Sequence, residues 1–251
     1  MQPYKLLSLD ESGKAAYTHS SELFILTGVV IPETLKAIVD RKMRKLKHTY
    51  FEDEEVVFHG RDMARHGGQF TVLNDETIET KFWSEFISIV NRLEIALYFV
   101  VTDKTKAKKA GWQPKTILRR SYVRILSEFA HNLKNSKSCG RIINESETEE
   151  DQLLIFAHNR LQVMGTGDGS VSGFEYKKMV TSLSLVNKDN LDIDVQIADT
   201  VGFVARLKYQ RERSSKDKTT KKATKSEEMR LRLIDRKISD SSNPGLFEIL
   251  I

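Results

Sequence analysis

Asp10, Glu145 and Asp199 each stand where an acid is costly unless something answers its charge. Asp10 follows the apolar run of YKLLSLDESG at 4–13, Glu145 follows Ile142 and Ile143 in IINESETEED at 142–151, and Asp199 lies between Ile197 and Val201 in QIADTVGF at 196–203. Brought together, two carboxylates about 4 Å apart repel by roughly 4 kcal/mol at an effective dielectric near 20, so such a cluster needs a cation or a shared proton. Oxygen ligands alone favour Mg²⁺ or Mn²⁺ over zinc, which would want His or Cys. Two such ions about 4 Å apart can stabilise the attacking water and the leaving oxygen of a phosphodiester. The expected chemistry is therefore metal-dependent phosphodiester cleavage, with Asp10, Glu145 and Asp199 as ligands.

Further acids stand close in sequence. Glu11 adjoins Asp10, and Asp151, six residues beyond Glu145, opens the following helix and is the best extra ligand. Glu149 and Glu150 suit the dipole of that helix N-terminus. His59, before Gly60, titrates near neutrality and suits a proton shuttle or a phosphate contact, although a lone His at a strand end also serves structure. Taken singly, an Asp-Glu-Ser-Gly turn is an ordinary strand exit and acids at helix starts are ordinary caps. Asp199 is the strongest of the three, because an acid inside an apolar helix face must find a partner to be buried.

The elements that must position these residues follow from periodicity. Tyr4–Gly13 reads as a central strand, paired as a hairpin with the apolar run at 22–31. The spacing of Leu35, Ile38, Val39, Met43 and Leu46 predicts an amphipathic helix from Glu33 to about Tyr50. A short strand is expected at Glu54–Phe58, then a turn with a little helix, and a helix over Asp75–Leu93 capped by Asn74. Ile95–Val101 is the clearest buried strand; a Lys-rich turn leads from it to a helix over Pro114–Leu133 and a strand at Ser138–Asn144. Helices are expected over Glu147–Met164 and Asp194–Tyr209, with a Gly-rich loop and one weakly patterned strand between them. The alternation predicts an α/β sheet with helices packed against it. The division expected is a catalytic-type domain over 1–209, a basic flexible segment over 210–228, and a tail over 229–251 whose apolar LFEILI end docks as a last strand.

With 251 residues and 39% hydrophobic content a full core is available. No run approaches the ~18 apolar residues of a membrane span and no signal peptide is visible, so a cytoplasmic protein without a membrane partner is expected. Cys139 is the single cysteine, which excludes an intrachain disulfide and a multi-cysteine zinc site. The net charge of +5 is unevenly placed: Asp103–Arg124 holds eight Lys or Arg against one Asp, and Arg206–Lys225 nine against two acids. Two basic segments on an acidic remainder fit an anionic polymer around a cation-binding centre, and fit plain solubility as well. Lys104, Lys106, Lys108 and Lys109 offer phosphate contacts beside Trp112, which could stack on a base or cover the helix start; Arg120 lies on the next helix with Arg119 and Arg124.

LSLDESG at 7–13, FILTGVVI at 24–31, NESE at 144–147 with Asp151, and QIADTV at 196–201 together resemble a family known as the domain of unknown function numbered three thousand eight hundred. That family looks like a branch of the RNase H-like superfamily, which also contains retroviral integrases and RuvC junction resolvases. The resemblance covers roughly residues 4–209 and implies a mixed five-stranded sheet flanked by helices, its first three strands antiparallel, with helical insertions. It implies catalytic acids on the first strand, a later strand and a late helix, which fall here on Asp10, Glu145 and Asp199, with Glu11, Glu147 and Asp151 as further positions. Many relatives carry Asp where Glu145 stands, which would alter metal spacing. The expectation is a Mg²⁺- or Mn²⁺-dependent nuclease acting on DNA or RNA. The alternative is a nucleic-acid-binding protein on the same scaffold that has lost turnover, acting in defence against mobile DNA.

Overall fold

In the computed structural model, residues 3–146, 150–187, 192–214, 223–241 and 243–251 are described. Apolar β1 (Tyr4–Ser12) and β2 (Leu23–Pro32) form the expected hairpin, Asp10 opposite Thr27. Helix α1 (Glu33–Phe51) follows at once and ends at Glu52, in the left-handed region at φ 58°. Residues 54–58 are not a strand: Val56 and Phe58 are buried among the helices of one core layer, and the Phe58 N–H is taken by the side chain of Gln196 rather than by a neighbouring strand. Alternation of apolar residues here reflects burial without sheet pairing.

Helix α2 (Gly60–Arg65) and a short 3-10 helix (Gly68–Asn74) lead to α3 (Glu76–Arg92). Asp75, not Asn74, caps α3, its carboxylate accepting from the N–H groups of Thr77 and Ile78. Strand β3 (Ala96–Asp103) is buried throughout and runs straight into α4 (Lys104–Lys109), so the Lys-rich stretch is a short helix rather than a turn, capped by Asp103. Next come α5 (Pro114–Asn135), β4 (Cys139–Glu145), α6 (Asp151–Met164), α7 (Gly173–Met179), β5 (Val180–Val186) and α8 (Ile193–Ser214). Residues 215–222, the centre of the segment expected to be basic and flexible, lie outside the described residues. Its flanks are helical: α8 reaches Ser214, and α9 (Lys225–Ile238) starts at a capping box formed by Thr224 and Glu227. Strand β6 (Leu246–Ile249) closes the chain.

The described strands form one mixed sheet of six, in the order β5-β4-β1-β2-β3-β6, one more than the five expected. The addition is β6, which pairs parallel with β3. Only β2 runs against the rest: β1/β2 and β2/β3 are antiparallel, while β1/β4 and β4/β5 are parallel. The carboxyl ends of β1, β3, β4 and β5 therefore emerge at one edge, where loops leave room for a ligand.

Period-two alternation sorts β1 between two cores. Leu7 and Leu9 face a layer with Ile125 and Phe129 of α5 and Leu154 of α6. The opposite face of the sheet carries Ile25, Val29 and Phe99 against Ile197 and Val201 of α8 and Phe82 and Phe86 of α3. Asp10 shares this second face and Glu11 the first. No helix among the described residues is long and apolar enough to cross a membrane.

Candidate active site at the carboxyl edge of the sheet

Register explains how residues 135 positions apart become neighbours. Leu9 pairs with Asn144 in the parallel β1/β4 ladder, so Asp10 and Glu145, each one residue on, leave adjacent strands at the same level and on the same face. Strands lie about 4.8 Å apart. The third acid comes from above, where α8 crosses that face closely at Gly202: a Cβ there would stand 2.6 Å from Thr27 Oγ1, opposite Asp10. Asp199, three residues earlier on α8, is thereby lowered to the strand ends. Asp10, Glu145 and Asp199 all line one cavity of about 100 Å³, together with His59 and Gln196.

The electrostatics match a crowded carboxylate site. Burial pushes the Asp10 carboxyl well above the usual range, reinforced by the Asp199 charge and by a hydrogen bond and charge repulsion from Glu145. Carboxylates this close and this buried repel unless a proton or a cation lies among them. His59 Nδ1 lies 2.9 Å from Asp199 Oδ2. The placement of His59 has a steric cause: a Cβ at Gly60 would stand 2.8 Å from the Asp199 carbonyl oxygen, so the start of α2 lies directly on α8. Gln196, not singled out from the sequence, is fixed by two donors to its Oε1, Lys47 Nζ at 2.8 Å and the Phe58 N–H at 3.1 Å. That leaves its amide NH₂ for the cavity. Its spacing of three from Asp199 on a helix was the available signal; the partner on α1 was not readable.

Glu11 belongs to the other face. Tyr122 of α5 donates to it, and burial followed by the neighbouring Glu150 raises its carboxyl well above the ordinary range. Glu150 stands at the α6 N-terminus, as the dipole reading expected, but its side chain makes no cap hydrogen bond there and faces Glu11. Asp151 is buried at the start of α6 and accepts from Ser146 Oγ at 2.6 Å; it is not among the residues lining the cavity. Glu147 and Glu149 lie outside the described residues.

The basic residues divide. Lys104 is buried and its ammonium donates to the carbonyls of Lys14, Ala16 and His19, so it ties down the β1–β2 connection instead of awaiting a phosphate. Lys106, Lys108 and Lys109 are exposed on α4, at the same sheet edge as the acids. Trp112 is half-buried against the α5 core layer and carries the Arg120 guanidinium 4.3 Å over its ring, so it covers the helix start while its outer face meets a cation.

Among the described residues no three His, Cys, Asp or Glu side chains already form a metal-holding group. The donor chemistry nevertheless fits a hard divalent ion: oxygen donors from three elements line one small cavity, and the buried Asp10 has acids, not a cation, as its neighbours. No protein-family model, curated protein or solved structure matches the chain.

Proposed function

We propose that the chain is a divalent-metal-dependent nuclease of RNase H-like architecture, akin to the domain-of-unknown-function family its motifs resemble. The observation that carries this reading is the convergence of Asp10, Glu145 and Asp199, from two parallel strands and a helix, on one cavity. The strand order 3-2-1-4-5 within the sheet, with the first three strands antiparallel, supports the architecture. Exposed lysines of α4 at the same edge support an anionic polymer as substrate.

Asp10, Glu145 and Asp199 would hold Mg²⁺ or Mn²⁺, which when bound would polarise a phosphodiester and ease ionisation of water. The chain's own groups do the rest. His59, half-exposed and with Nδ1 2.9 Å from Asp199 Oδ2, steadies that carboxylate and can relay a proton toward solvent. Gln196, locked by Lys47, presents donors to a phosphate oxygen.

Incubating the protein with end-labelled DNA and RNA in Mn²⁺ or Mg²⁺ tests the proposal. Cleavage that needs the ion and is lost in Asp10→Ala and Asp199→Ala is expected; cleavage retained in both variants rejects these residues as the site. The binding-only alternative is favoured by one observation, that His59 already occupies an oxygen of Asp199. It predicts nucleic-acid binding with no turnover in either ion.

A further inference from the structure

On the sheet face opposite the three acids, α5 and α6 border a cavity of about 690 Å³. That lies within the ~300–1,000 Å³ common to ligand sites. Arg120, Arg124 and His131 of α5 line it with Arg119, and α6 supplies Phe156 and Arg160. Two carboxylates are also present, and both are engaged. Glu128 accepts from Arg124 at 2.8 Å, while Glu248 of β6 takes the same guanidinium at 2.6 Å. Asp168 accepts from the hydroxyls of Thr166 and Ser170 and faces His131 at 3.3 Å.

The remaining arginines form a cationic surplus. Arg119, Arg120 and Arg160 are exposed and make no ion pair with a carboxylate among the described residues. Two of them lie on aromatic rings instead: Arg119 is 4.9 Å from the centroid of Phe156, and Arg120 covers Trp112. Phe156 remains 47% exposed although it is a large apolar side chain. Guanidinium groups without acid partners, interleaved with accessible aromatic faces along a concave track, match what a single-stranded nucleic acid needs: bidentate donors for phosphates and flat apolar faces for bases. The exposed Phe156 ring suits an unpaired base, whereas a duplex keeps its bases stacked inside. The groove also connects to the acids. Arg119 is one turn before Tyr122 on α5, and Tyr122 donates to Glu11, which lines the acidic cavity from the other side of β1.

We infer that the α5–α6 groove holds a single-stranded stretch of nucleic acid, its phosphates on Arg119, Arg120 and Arg160 and a base on Phe156, with the strand passing over the sheet edge toward the acids. The inference rests on the nucleic-acid reading proposed above and adds strandedness and a path to it. Binding of fluorescently labelled oligo(dT) and oligo(U) to the full chain, by anisotropy in EDTA over a salt series, separates it from turnover. The triple variant R119A/R120A/R160A should lose at least tenfold in affinity and flatten the log–log salt slope by about 2, the share of three single-strand phosphate contacts. Phe156→Ala alone should cost roughly fivefold or more. A charge-matched triple on exposed α1 positions, R41A/K42A/K45A, should bind like the unaltered chain. Equal losses in both triples, no loss in the groove triple, or stronger binding of a duplex or a phosphorylated peptide than of the single strands overturns the inference. If groove-dependent binding is found but no ion supports cleavage, the groove stands and the nuclease proposal fails. If cleavage of single strands is unimpaired in the groove variants, the nuclease stands and the groove fails.

Discussion

Asp10 is buried among other acids, so the metal proposed there would have a direct thermal consequence. An ion that binds the folded chain alone stabilises it by about 2.7 kcal/mol at a hundredfold excess over its Kd. Mn²⁺ should therefore raise the melting temperature of the unaltered chain and leave that of Asp10→Asn unchanged, a comparison made by differential scanning fluorimetry. Asp10→Asn should also melt higher than the unaltered chain without metal, because it removes a carboxyl that burial and the neighbouring acids Asp199, Glu145 and Glu11 penalise. Lys47 supplies a second test. Burial pulls its ammonium down to about 8 from 10.5. Between those values the unfolded chain keeps a proton that the folded chain has released, so this contribution to stability rises as pH climbs from about 8 to 10.5 and levels off below 8. Urea denaturation from pH 7 to 10.5 should show this rise, and Lys47→Met should flatten it. At this scale the sequence exposed the acids well, since an Asp or Glu in apolar surroundings is visible from spacing. It hid Gln196 and Tyr122, because a neutral polar residue acquires a role only through a partner on another element. It also misplaced Lys104, whose three carbonyl acceptors lie about ninety residues away.

Helix α8 brings the third acid to the strands, and its closeness depends on Gly202. Gly202→Ala places a methyl group 2.6 Å from Thr27 Oγ1, closer than van der Waals contact allows, and the helix must lift or the threonine must turn. A loss of about 1–3 kcal/mol is expected, with a weakened Mn²⁺ response because Asp199 moves with the helix. Chemical denaturation and the fluorimetric assay read the two effects separately. Periodicity made α1, α3, α5 and α8 legible, each a long amphipathic element whose register follows from its apolar residues. Residues 54–58 show the limit: their alternation of exposed and buried positions matches a strand, yet Phe58 hydrogen-bonds Gln196 and no strand lies alongside. The Lys-rich stretch after β3 shows the converse, polar residues that looked like a turn but form α4 because Asp103 caps it.

Across the molecule, β6 covers what would be the bare edge of β3. Phe247 packs against Phe99 with ring centroids 6.0 Å apart, and Glu248 pairs with Arg124 at 2.6 Å. Removing residues 246–251 should lower the melting temperature by about 5 °C or more and promote association through the exposed strand, as size-exclusion chromatography would show. The apolar LFEILI pattern suggested the strand; its neighbour could not be read, because parallel pairing with β3 joins segments 148 residues apart. The same dispersion along the chain governs when the acidic cavity can exist. Asp10 is made early, Glu145 past the midpoint and Asp199 later still. A nascent polypeptide emerging from the ribosome is therefore chemically silent at this locus until α8 has been synthesised and docked, which ties any reactivity there to completion of the fold.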